Sequence, residues 1–550
     1  MRNAQWKLLG AMVLPVCVFL VLLVLGAKAH PLWADEAEIA NFSRNILQFG
    51  VPTGWDGVNI IGSQHGIVLN SDLLNTSNSW LEMYLMAGSF SIFGVSSFTA
   101  RLPFMIVSIV ALILLYGVSR VYTSSSRVAL FCISIASCSV PLLLYSYQAR
   151  YLSLIMCFGL LVFLCMHRTV GGSLLGFIGR AVGIFGLLAS NYFSASLLCL
   201  SVMATMAVGM IISPLKTRSM VIRFRDFLIT FVIGTVAYLP VFFYFRPTEH
   251  RGFDFAFHPE AIVGFLAGSL LRIGKIYIVN AGYPIVFVLI ASIFVFWFRS
   301  RSGSHMPFVF KAGLVFLACY MSILILVSAL TIESSQYVWI GDFRYHILLF
   351  PVLYLLTSIW VDKTVTVQKR LGYCLLVAFI AFNGSWFMPR VVLAEYVRDT
   401  LFPYKTPDVA VAEYLLEHGN SNDAVFVNLE RNLEPLIFHI GKKMRFVNRL
   451  DRTNTRFFPK NKKNLPSYIY NYREKPDWII YYGKHNQDEY DYRRSMLIAD
   501  VQLTTEYDVT VIPVYYQDRT RPELDTHVFS AVPPKFRDQV FIYKRKITAQ

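Results

Sequence analysis

The chain has 550 residues, 55% of them hydrophobic and 15% charged, with a mean hydropathy of +0.50. Soluble domains carry about 25% charged residues, so this composition excludes an ordinary soluble protein and points to many membrane spans. The net charge is +16, but Lys and Arg are scattered between apolar runs; that excludes a nucleic-acid-binding face and leaves them as markers of cytoplasmic loops.

In chain order, a basic start, Met1 to Lys7, is followed by an apolar run to about Ala27. Ala27-Lys28-Ala29 looks like a signal-peptidase site. The run is nevertheless longer than the roughly 7–15 residues of a signal core and long enough to cross a bilayer, so an uncleaved first span with a cytoplasmic N-terminus is expected. Apolar runs of roughly 17–24 residues, enough for the ~30 Å hydrocarbon core, recur near 8–28, 102–119, 128–145, 151–167, 173–190, 195–213, 227–245, 282–298, 307–330, 345–361 and 371–388. Basic stretches at Arg120 and Arg127, Lys216 to Arg225, Arg299 to Arg301 and Asp362 to Arg370 fall on the cytoplasmic side by the positive-inside bias. Residues 29–100, Tyr147 to Arg150, the turn at Asn191, 246–281 and 331–344 then lie outside. Residues 79–95 are also apolar, but a full span there would move every later basic loop outside. An interfacial or re-entrant helix is expected instead.

From about Pro389 the composition turns polar. Pro407 to His418 reads as an amphipathic helix, and Asp423 to Val427, Asp477 to Tyr482, Val509 to Tyr516 and Gln539 to Tyr543 read as strands. Interleaved helices and strands predict a small α/β domain over 390–550 on the outer face, after a transmembrane body over 1–389. The eight cysteines all lie in apolar segments without metal-ligand spacing, and read as small buried residues.

Three outer elements carry candidate chemistry. Asp35 and Glu36 follow the first span. They read as a general base or metal contact, or as a helix N-terminal pair favoured by the dipole, the latter supported by Glu38. Tyr145-Ser146-Tyr147-Gln148-Ala149-Arg150-Tyr151 joins two spans. Arg150, with Tyr147, reads as a phosphate grip or as an interface anchor. Asp342-Phe343-Arg344-Tyr345-His346 presents Arg344 with the same two readings. Asp56 and His65 add polar groups to the first outer loop, and Lys275 and Arg272 lie in a basic loop that could close over a lipid head group. No HxH or HExxH spacing exists, so no metal ligand is assigned; two carboxylates leave a divalent ion as an open cofactor.

Three stretches carry a family resemblance: Trp33-Ala34-Asp35-Glu36-Ala37-Glu38-Ile39-Ala40, Phe93-Gly94-Val95-Ser96-Ser97-Phe98-Thr99-Ala100-Arg101-Leu102-Pro103, and Tyr145 to Tyr151. They resemble the dolichyl-phosphate-mannose–protein mannosyltransferase-like group of the GT-C glycosyltransferases, which includes bacterial aminoarabinose and lipopolysaccharide glycosyltransferases. The resemblance spans most of residues 30–390. It implies a GT-C-type polytopic helical protein of about 11–13 spans with an extracytoplasmic α/β domain. It also implies an inverting transfer, outside the cytoplasm, from a polyprenyl-phosphate-linked sugar to a glycan, lipid or protein acceptor. By position, Asp35 would activate the acceptor hydroxyl, Glu36 would assist and Arg150 would contact the donor phosphate. Gln148 stands where many relatives have an acid, and Arg101 matches a family position of underived role. The family's spread points to a bacterial inner membrane with the site facing the periplasm. The competing classes are a lipid-linked-sugar flippase, disfavoured by nearly charge-free spans without repeats, and a diphosphate-donor oligosaccharide polymerase or ligase, disfavoured by the terminal position of the polar region.

Overall fold

The computed structural model describes residues 2–62, 69–70, 72–76, 80–168, 173–212, 217–245, 308–330, 343–381, 392–403, 405–428, 433–447, 465–469, 475–482, 503–515 and 537–546. Among these, six helices are long and apolar enough to cross a membrane: Gly10–Ala29, Ser97–Thr123, Tyr192–Ile212, Met220–Tyr244, Phe308–Val327 and Arg344–Val367. The apolar pair Ser126–Ser137 and Val140–Ser146, bent by 69° at the break, has the form of a broken span or a re-entrant loop. The protein is therefore a multi-pass membrane protein.

Fewer described helices reach spanning length than the eleven apolar runs of the sequence. The runs at 151–167 and 173–190 form apolar helices of 17 residues, Leu152–Arg168 and Leu174–Ser190. The run at 371–388 forms Lys369–Ala381, 13 residues, and 282–298 lies outside the described residues. The disputed segment 79–95 forms Leu81–Phe93, 13 residues. At 1.5 Å per residue that is about 20 Å, shorter than the ~30 Å core.

Two local signals set the geometry around the first connection. Helix α1 (Ala34–Phe49) starts where extended Trp33 donates its amide to Glu36 Oε2 at 3.3 Å, and ends at Gly50, whose φ of 76° supplies the left-handed cap. The span Ser97–Thr123 starts on a capping box in which Ser96 Oγ accepts from the Thr99 amide (3.1 Å) and Thr99 Oγ1 accepts from the Ser96 amide (2.9 Å). The bend after Ser137 is followed by Pro141 in the first turn of Val140–Ser146, where a missing N–H costs little. It delivers the chain into a tight turn at Tyr147 to Arg150, with Arg150 N donating to Gln148 O at 2.8 Å.

The polar C-terminal region contains a five-stranded sheet. Its strands are β1 (Ala424–Val427), β2 (Arg445–Phe446), β3 (Trp478–Tyr482), β4 (Tyr507–Tyr515) and β5 (Arg537–Arg545), in the order β2-β1-β3-β5-β4. β1 pairs parallel with β2 and β3, while β5 runs antiparallel to both β3 and β4. The sheet shares an apolar core with the first connection: Ile39, Phe42, Ile60 and Met83 pack in one cluster with Leu436, Ile437, Phe446 and Ile480. Polar contacts reinforce it. Asn41 Nδ2 donates to Glu434 Oε2 (3.1 Å), Gly62 N donates to Glu434 Oε1 (3.0 Å), and Asn59 Oδ1 accepts from the Phe446 amide (2.8 Å). The two regions therefore pack as one unit.

Candidate active site

Asp35 sits in the first turn of α1, where the dipole favours an acid. The turn before Leu152 brings Arg150 to it, and the 3-10 helix Phe343–Leu349 brings Arg344. Arg150 Nη1 donates to Asp35 Oδ2, and Arg344 Nη1 reaches the same oxygen at 3.5 Å. The Asp35 side chain is 30% exposed, against 23% for Arg344 and 7% for Arg150. One reachable carboxylate thus faces two guanidiniums, the deeper of which also lies over the Tyr151 ring, 5.4 Å from its centroid.

Glu36, one residue on, is fully buried and spoken for. Its Oε1 accepts from Arg101 Nε (2.9 Å) and the Ala149 amide (2.7 Å), and its Oε2 accepts from Arg101 Nη2 and the Trp33 amide. Arg101 further donates to the carbonyls of Ala27 (3.1 Å), His30 and Pro31 (2.9 Å), and covers the Tyr147 ring. A bidentate buried pair with its remaining donors satisfied is a strong staple. It ties the end of the first span, α1, the Ser97–Thr123 span and the Tyr147–Arg150 turn into one unit. A second buried contact, His30 Nε2 to Asp399 Oδ2 at 3.0 Å, fastens the same connection to helix Val392–Leu401.

The remaining sequence candidates fall elsewhere. The resemblance gives Glu36 an assisting role and leaves Arg101 without one, whereas the structure pairs them with each other, both fully buried. Tyr147 is buried beneath Arg101, its ring supporting that guanidinium. Asp56 is buried and forms a turn, its Oδ1 accepting from the amides of Val58 (2.7 Å) and Asn59 (2.6 Å). His65 and Lys275 lie outside the described residues. Among the described residues no three His, Cys, Asp or Glu side chains group as metal ligands. The surroundings of Asp35 also fit a divalent cation poorly, since both nearby guanidiniums would repel it and Glu36 is engaged by Arg101.

One acid escapes the sequence motifs. Glu82, in the first turn of Leu81–Phe93, is fully buried. Burial pushes its carboxyl up to about 8; Arg150 and the Tyr151 amide oppose the shift, and Asp35 and Glu38 add to it. The available signal is a lone acid in an otherwise apolar segment.

No family model matches the sequence, and no curated protein does. Solved structures that the chain matches include ArnT from Cupriavidus metallidurans in the apo state, with 15% identity, 80% of this chain and 76% of that chain covered, and a TM-score of 0.43. The same protein bound to undecaprenyl phosphate gives 14% identity, coverages of 79% and 75%, and a TM-score of 0.39. The archaeal oligosaccharyltransferase AglB from Archaeoglobus fulgidus, in complex with an inhibitory peptide and a dolichol-phosphate, gives 11% identity, coverages of 92% and 69%, and a TM-score of 0.48.

Proposed function

We propose that the chain is an inverting glycosyltransferase that moves a sugar from a polyprenyl-phosphate-linked donor to an acceptor hydroxyl on the extracytoplasmic side of the membrane. The observation that carries the reading is the meeting of Arg150 and Arg344 on an accessible carboxylate, Asp35.

The chemistry suits this set. The acceptor hydroxyl loses its proton to Asp35 as its oxygen bonds to the anomeric carbon. The anomeric C–O bond to phosphate breaks from the opposite face, which inverts the centre. The electron pair leaves on the lipid phosphate, which needs cationic stabilisation and no protonation. Arg150 and Arg344 supply it, most effectively where water is scarce. Without donor, Arg150 neutralises Asp35. A donor phosphate competes for the guanidinium and frees the carboxylate to act as a base, so donor binding and base activation are coupled. Glu36 acts as a positioning residue: by accepting the Ala149 amide it fixes the turn next to Arg150. The lipid tail of such a donor stays in the bilayer, in keeping with a site mounted on spans.

The test is transfer of labelled sugar from a polyprenyl-phosphate donor by membranes carrying Asp35→Asn. Loss of transfer with normal insertion and melting supports the assignment; full transfer rejects it.

A further inference from the structure

Glu82 sits at the edge of the site and has no part in the scheme above. It is fully buried in the first turn of Leu81–Phe93. Neither of its oxygens has a hydrogen-bond partner of ordinary geometry among the described residues. Buried carboxyls are rarely left so, because an ion without partners in an apolar setting is costly. Such a group exists as a neutral acid, or is paired when a ligand arrives.

The charged groups that act on it are Arg150 from the turn and Asp35 and Glu38 from α1. The other charges on neighbouring elements are engaged elsewhere. Arg101 and Glu36 hold each other, and Arg180, on Leu174–Ser190, faces Asp226 and Cys165. Arg150 thus stands between two acids of different character: Asp35, partly exposed, and Glu82, wholly enclosed. The Nε of Arg150 has no hydrogen-bond partner among the described residues, so the guanidinium retains donor capacity beyond its bond to Asp35.

Resting on the donor reading given above, we propose that Glu82 is a positioning residue that acts through Arg150: as a neutral acid it leaves the guanidinium's charge for a lipid phosphate, and as a carboxylate it claims that charge for itself. A phosphate needs an unsatisfied cation. A second anion buried beside Arg150 would hold the guanidinium inward and oppose the incoming phosphate by repulsion. The proton on Glu82 removes both effects. Donor capture is therefore strongest where Glu82 is protonated, and weakens as the acid ionises at alkaline pH.

The experiment uses the full-length protein in lipid nanodiscs, wild type and Glu82→Gln, with undecaprenyl phosphate as probe. Binding is measured from one pH unit below to one above the value of about 8 at which Glu82 ionises. The probe's own titration is common to both proteins, so the ratio of their affinities isolates Glu82. The expected result is a wild-type affinity that falls relative to Glu82→Gln with rising pH, approaching about tenfold per unit, the limit for one linked proton. Infrared spectra of the same samples give a readout independent of the ligand. The carbonyl band of a protonated carboxylic acid is expected in the wild type and in Glu82→Asp, missing in Glu82→Gln, and fading over the same pH interval. Parallel pH dependence in wild type and Glu82→Gln overturns the proposal, as does a wild type whose band is absent at neutral pH. If neither protein binds the probe at any pH while the band titrates as expected, the lipid-phosphate donor itself is overturned and the proton on Glu82 stands.

Discussion

Glu36 accepts the backbone amide of Ala149 at 2.7 Å, so the acid next to Asp35 in sequence also holds the turn that aims Arg150 at it. Two neighbouring carboxylates have separated their tasks: one is reachable, and the other is locked beneath it by Arg101.

Replacing Asp35 with Asn is expected to lower sugar transfer by at least ~10²-fold, the contribution of a positioned base, with the melting temperature in detergent held near the wild-type value. A radiolabel transfer assay beside a thermal-shift measurement checks both halves.

Breaking the staple is expected to behave differently. Glu36→Gln or Arg101→Met leaves a buried charge unpaired, at a cost of about 3–5 kcal/mol. Both variants should accumulate poorly and melt early. If either melts like the wild type and loses only transfer, Glu36 belongs to the reacting groups.

Arg344→Ala is expected to weaken donor capture, raising the donor KM about 10- to 100-fold for the loss of one charge-assisted contact of ~1.5–3 kcal/mol, with a smaller effect on the acceptor KM. Arg150→Lys should lower kcat as well, because an ammonium cannot reproduce the guanidinium fork between Asp35 and a phosphate. Steady-state kinetics with donor and acceptor varied separately would show the split.

Glu82 also makes a prediction about stability. Its folded pKa is raised, from 4.5 to about 8, so its stabilising proton is present in both states below the unfolded value. The folded state keeps that proton, and loses stability relative to the unfolded state, as pH rises toward the folded value. Glu82→Gln should therefore match the wild type in acid and exceed it increasingly from about 4.5 to about 8, levelling off above, with a final gap on the order of a few kcal/mol. Melting curves of the two proteins across that range would reveal the divergence; a constant gap would contradict it.

The C-terminal sheet region supports the site through Glu434, which holds both Asn41 and the Gly62 amide. Glu434→Ala is expected to raise hydrogen exchange across α1 and to lower activity without touching Asp35 directly. Exchange mass spectrometry of 34–62 would register the loosening.

Much of this was legible in the residues, for identifiable reasons. Short apolar runs between turn residues located β1, β3, β4 and β5 within a few positions of Ala424–Val427, Trp478–Tyr482, Tyr507–Tyr515 and Arg537–Arg545. The two-residue strand Arg445–Phe446 and the eight-residue helix Leu433–Ile440 were not legible, being too short for a period to show. Loop charge argued against a full crossing at 79–95, and the helix there has 13 residues. Asp35, Arg150 and Arg344 each stood out as a polar residue at a span end, but nothing local shows that Arg101 belongs to Glu36, 65 positions away. Two charged residues near a suspected site look alike whether they react or brace. Glu82 was obscured by its neighbours, since a hydrophobic window averages a single acid away.

The distances along the chain have a consequence for biogenesis. Asp35 finds Arg150 115 residues later and Arg344 309 residues later, and Asn41 reaches Glu434 only after 393. During synthesis the first connection therefore waits 115 residues for Arg150 and 309 for Arg344 before Asp35 has both of its cations. A copy truncated before Glu434 would already hold Asp35, Arg150 and Arg344 and still lack the side chain that receives Asn41 and the Gly62 amide.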